Sequence, residues 1–101
     1  MKYSPSNDML YILTNTHHAA RRLVVDAVLP PTSYQICVPS DHHKLAGLKG
    51  GFYIVCSGSG HKRVGLGELI VLAEREGLQP VSYTDVIKAG NTLWARKEWA
   101  K

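Results

Sequence analysis

Three short, mainly hydrophobic runs stand out along the chain: Met9–Leu13, Tyr34–Val38, which includes one polar residue, Gln35, and Phe52–Cys56. Runs of this length are typical of strands that are buried on both faces of a parallel sheet, because such strands lack the alternation of half-exposed ones. They predict the first three strands of a sheet. A fourth, shorter extended piece is predicted at Val81–Tyr83.

A helix is predicted between the first two strands, from Thr16 to about Leu29, because apolar residues recur there at helical spacing. Thr16 is the predicted N-cap, and Pro30-Pro31 would stop the helix because neither residue can extend it. A second helix is predicted from Leu66 to Glu76, with Gly77 as its C-terminal stop. Shorter helical pieces are predicted at His42–Leu48, from the cap Thr84 to Gly90, and at Asn91–Ala100.

Strands that alternate with helices over short links imply parallel pairing with crossover connections. We therefore predict an α/β fold: a small single-domain three-layer sandwich with a mostly parallel sheet of three to four strands flanked by helices. A length of 101 residues allows one domain, residues 1–101. The polar opening, residues 1–7, is expected to be flexible.

Composition narrows the class of protein. The chain carries 12 Lys+Arg against 8 Asp+Glu, a net charge of +4 that permits an anionic partner without requiring one. The 45% of hydrophobic residues excludes a disordered chain. No apolar run approaches the roughly 18 residues of a membrane span, and the opening residues lack the charged-then-apolar pattern of a signal peptide, so neither feature is expected. The expected location is the cytoplasm, where Cys37 and Cys56, inside apolar runs, would be reduced and buried.

Each of the first three predicted strands is followed at once by a polar segment that contains histidine, and these segments hold all five histidines. The carboxyl ends of parallel strands share one edge of a sheet, where open α/β sheets bind their ligands. The sequence thus predicts a ligand site at that edge. The candidate residues are Asn15, Thr16, His17, His18, Asp41, His42, His43, Ser57, Gly58, Ser59, Gly60, His61, Lys62 and Arg63.

The segment Ser57–Gly60 is the most suggestive part, because glycines after a strand let backbone N–H groups approach an anion. It is not a P-loop, and Arg63 stands where the dinucleotide fingerprint requires its third glycine. The chain is similar to a Rossmann-like, doubly wound nucleotide-binding domain in outline only, and it lacks that fingerprint. The histidine pairs match no metal-binding motif, and no nucleophile elbow or acid pair is present.

The leading functional hypothesis is a small non-enzymatic binding protein with an anion-accepting site for a nucleotide, a nucleotide-derived signal or nucleic-acid phosphate. No catalytic residue, metal or cofactor is assigned. One alternative is an accessory or inhibitory protein that acts through a protein–protein interface, including a possible homodimer. Another is a small histidine-dependent phosphoesterase, with Asp41 or a second histidine orienting the reactive imidazole. The tyrosines, Tyr83 among them, are predicted to serve packing.

Overall fold

Four parallel strands form a single sheet in the computed structural model, which describes residues 9–45, 51–56 and 66–89. The strands are β1 (Leu10–Thr14), β2 (Tyr34–Cys37), β3 (Phe52–Cys56) and β4 (Gln79–Pro80). Their order across the sheet is β2-β1-β3-β4. The register places Leu13 beside Cys37 on one side and beside Val55 on the other, so β1 is paired along both edges.

Helices cover both faces of this sheet. They are α1 (His17–Ala27), α2 (Leu66–Arg75) and α3 (Tyr83–Ala89), with short 3₁₀ segments at Pro31–Ser33 and Pro39–Leu45. No helix in the described ranges is long and apolar enough to cross a membrane.

Alternate residues of β1 point into two separate cores. Ile12 packs in a cluster that includes Leu23 of α1 and Val86 of α3. Leu13, on the opposite face, packs in a cluster that includes Leu45 of the second 3₁₀ segment and Leu69 of α2. The sheet therefore lies between two helical layers, and the predicted α/β three-layer sandwich is confirmed.

Several predicted boundaries differ from the observed ones. The fourth strand is Gln79–Pro80 rather than Val81–Tyr83, and the helix that follows is capped by Ser82 rather than Thr84. The helical turn predicted at His42–Leu48 begins earlier, as the 3₁₀ segment described above. Predictions for residues 1–7, for Ser57–Arg63 and for Asn91–Ala100 lie outside the described residues.

Two helices end in the same way but with different residues. The N–H of Leu29 donates to the carbonyl of Val24 and that of Leu78 to Ala73, which is the six-residue bond of a Schellman motif. The residue before each adopts a left-handed backbone: Gly77 at φ 85° and Val28 at φ 53°. Glycine is the usual residue at this position, whereas a β-branched side chain is strained there. Helix α1 thus ends before Pro30, through its own cap.

We predict that single substitutions at these two cap residues change the stability of the protein in opposite directions. Val28→Gly should raise the free energy of unfolding by about 1 kcal/mol, because it removes the left-handed strain. Gly77→Ala should lower it by about 1 kcal/mol through backbone strain alone, because a Cβ there meets nothing within 4 Å. Urea denaturation of both variants checks this, and a loss of stability in Val28→Gly would contradict it.

Candidate functional site

The strand order places the topological switch point of the sheet between β1 and β3. From β1 the chain crosses to β2 on one side, and it later returns to β3 on the other side. At such a reversal the connections leave neighbouring strands in opposite directions, and open α/β sheets bind ligands in the crevice beyond the carboxyl ends of these strands. In this protein the switch point lies next to the start of α1, which follows β1 directly.

A buried hydroxyl shapes the turn from β1 into α1. Thr14 is fully buried at the end of the strand, and its Oγ1 donates to the carbonyl of Thr16 at 2.7 Å. The same oxygen accepts from the N–H of Thr16 at 3.1 Å. Both backbone groups of Thr16 are thus held by one side chain, which fixes where the helix begins.

The first turn of α1 lies beside the switch point and carries the partial positive charge of a helix N-terminus. Thr16 caps the helix by accepting a bond from the N–H of Ala19 at 3.1 Å, as the sequence predicts. His17 and His18 are exposed, and the first turn contains no acidic residue. The first N–H groups of a helix have no carbonyl partner within it, and they carry a partial positive charge. This turn can therefore accept an anion.

The 3₁₀ segment after β2 brings a second pair of histidines to the same edge. His42 and His43 are exposed, with ring centroids 6.1 Å apart and nearly perpendicular planes. Asp41 turns its carboxylate back to its own segment: it accepts from the N–H of Val38 at 3.2 Å and pairs with Lys44 at 3.6 Å. The backbone bond from Val38 lowers the pKa of Asp41 below its ordinary value, helped by Lys44. Its described partners are thus Val38 and Lys44.

The structure describes two of the three groups of predicted site residues. Asn15–His18 follow β1 and Asp41–His43 follow β2, and both groups lie at the carboxyl edge of one parallel sheet, as predicted. The third predicted group, Ser57–Arg63, lies outside the described residues. Among the residues that the structure describes, no group of three or more His, Cys, Asp or Glu side chains could hold a metal ion.

The thiols of both cysteines are buried in the cores and are not exposed at this edge of the sheet. Cys37 and Cys56 are free and buried, and they belong to cores on opposite faces of the sheet. Burial raises the pKa of each thiol to about 11, so both remain protonated at neutral pH. Protonated, buried thiols are poor nucleophiles and metal ligands.

Sequence reasoning missed a groove of about 370 Å³ that lies along β3 beyond the end of β4. It is lined by Tyr53–Val55 of β3, by Ile70 of α2 and by the segment from Pro80 to Tyr83. Tyr83 is 49% exposed, and its hydroxyl donates to Asp26 of α1 at 2.8 Å, so the side chain joins α3 to α1. The spacing Ser82-x-x-Asp85 is a capping pattern that could have placed Tyr83 at the start of a helix.

No known protein family, curated protein sequence or solved structure matches this chain.

We predict that the hydroxyl of Thr14 carries much of the stability of the β1–α1 turn. Thr14→Val keeps the shape but leaves two part-buried backbone groups of Thr16 without this partner, which should lower the free energy of unfolding by about 2 kcal/mol. Thr14→Ser is the matched control: it keeps the hydroxyl and loses one methyl group, at about 1 kcal/mol. Thermal and urea unfolding measure both, and a valine variant as stable as the serine variant would contradict the prediction.

Proposed function

We propose that this protein is a small binding protein that takes an anionic, phosphate-bearing ligand at the carboxyl edge of its sheet, without converting it. The observation that carries this proposal is the coincidence of two features at one point. The reversal of strand order between β1 and β3 lies where the first turn of α1 begins. Phosphates bind at helix N-termini in many α/β proteins for this reason.

The charges around the crevice support an anion. His17 and His18 can donate hydrogen bonds there, and the described part of the first turn offers no carboxylate that would repel a phosphate. Asp41, the acidic side chain nearest in sequence to the second histidine pair, is engaged by Val38 and Lys44. Its described hydrogen bond and ion pair are thus made with Val38 and Lys44, while the nearby charge of His43 also lowers its pKa.

A charge reversal at the second helical position tests the anion site. His18→Glu should weaken the binding of phosphate, pyrophosphate and nucleotides roughly tenfold, because it puts a negative charge beside the ligand. A carboxylate in the first turn also stabilises a helix, so the variant should fold at least as well as the original. Isothermal titration calorimetry gives the affinities, and thermal unfolding verifies the fold.

Thr32→Glu is the matched control for this test. Thr32 is exposed in the 3₁₀ segment that precedes β2, at the opposite edge of the sheet, and the substitution makes the same change in net charge. We expect its ligand affinities to stay within twofold of the original. Equal weakening in both variants would mean that overall charge attracts the anions, and absence of binding by the original protein would reject the proposed function.

A second candidate, a protein-interaction module, is favoured by exposed aliphatic side chains near the end of α1. Val25 in the last turn of α1 is 73% exposed, and Val28, the left-handed cap that follows the helix, is 65% exposed. Adjacent exposed aliphatic residues are typical of contact surfaces. A valine occupies position 28 although its left-handed backbone would favour glycine.

If this surface joins two copies of the chain, sedimentation equilibrium should find a dimer, and Val25→Ser should shift the equilibrium to the monomer. Val71→Ser makes the same change at a 55% exposed valine of α2, on the other face of the sheet, and as the control it should leave the dimer intact. A monomeric original protein at high concentration would reject self-association.

A further inference from the structure

The outward face of α2 combines charged and apolar side chains in a self-complementary order. Four residues at helical spacing share this face: Glu68, Val71, Leu72 and Arg75. Val71 is 55% exposed, and the charged residues at the two ends are exposed as well. The face therefore has a negative charge at its start, an apolar centre and a positive charge at its end.

A groove of about 320 Å³ lies on this face, lined by the same four residues and by Gly67. A Cβ at Gly67 would meet nothing within 4 Å, so packing within the described part of the chain does not require a glycine there. A glycine inside a helix weakens the helix relative to alanine. Its missing side chain instead leaves room at the groove for another chain to approach.

The two charges of this face are not paired with each other. Glu68 and Arg75 are seven residues apart, which separates them by roughly 10 Å along the helix axis. Among the residues that the structure describes, neither forms an ion pair. A second α2 that runs in the opposite direction presents the same charges in reverse order, so each charge then lies opposite its counterpart.

We propose that this face of α2 pairs with the same face of a second copy of the chain in an antiparallel, two-fold symmetric dimer. In such a contact each residue pair occurs twice, once on each side of the axis. With the axis between Val71 and Leu72, Glu68 of each copy lies opposite Arg75 of the other. A parallel pairing would oppose like charges, so charge complementarity selects the antiparallel one.

This inference goes beyond the proposed function and concerns a different surface. α2 packs on one face of the sheet, whereas α1 packs on the other. The α2 dimer therefore leaves both the first turn of α1 and the exposed Val25 free. It is also distinct from a dimer formed at the end of α1.

Charge reversal tests the pairing directly. Sedimentation equilibrium at low ionic strength should find a dimer of the original protein, since salt screens exposed ion pairs. Glu68→Arg and Arg75→Glu each place like charges opposite each other at both ends of the contact, and each should weaken self-association roughly tenfold or more. An equimolar mixture of the two variants restores both opposite pairs, so a mixed dimer should form within roughly threefold of the original affinity. This rescue would also show that both variants are folded.

Matched valine variants distinguish the two surfaces. Val71→Ser should weaken the α2 dimer, and Val25→Ser should leave it within roughly twofold of the original, which is the reverse of the pattern expected from a contact at the end of α1. A monomeric original protein, or a mixture of the charge variants that stays monomeric, would overturn the inference. His18→Glu leaves the α2 face unchanged, so the anion titrations can fail without affecting this result.

Discussion

β1 is paired with a parallel strand along each edge and packed against helices on each face, so every other layer of the molecule is positioned relative to it. Leu10, Ile12 and Leu13 are fully buried, and so is Thr14 at its end. A strand enclosed on four sides cannot shift its register without moving both cores. The position of its last residue is consequently well defined, and the turn that leads into α1 starts from a rigid point.

This enclosure explains why a polar side chain lies at the end of an apolar strand. A fully buried threonine is tolerated because its hydroxyl both donates to and accepts from the backbone of Thr16. These two bonds hold the first turn of α1 in a fixed position relative to the sheet. On the face of the sheet that α1 covers, the bond from Tyr83 to Asp26 also joins α3 to α1.

Local sequence patterns were sufficient for the elements that bury their side chains. β3 was predicted at its observed bounds, Phe52–Cys56, because a short unbroken apolar run rich in aromatic and β-branched residues is typical of a strand buried on both faces. The N-cap of α1 was also predicted correctly, since Thr16 provides the oxygen that the first turn requires. The carboxyl-edge location of two polar clusters followed from the parallel arrangement, which the alternation of elements indicated.

The missed features depend on contacts between distant residues. β4 consists of Gln79 and Pro80, both exposed, and it is a strand only because it pairs with Phe52 and Tyr53. No hydrophobic pattern marks such a strand. The groove that it leaves open, and the exposure of Tyr83 beside it, could not be predicted without knowing where β4 ends. The left-handed conformation of Val28 was equally hidden, because valine is not a residue that signals a helix cap.

The identity of Pro80 has a consequence for how this sheet meets other proteins. Gln79 and Val81 direct their N–H groups to β3, so the residue between them faces outward, and a proline there has no N–H to offer. The β4 border is consequently closed to a further strand. The opposite border, β2, has four residues without proline or charge, and edges of that kind are the ones that recruit strands from neighbouring chains. Any growth of the described sheet into a larger assembly would therefore be one-sided and would begin at β2.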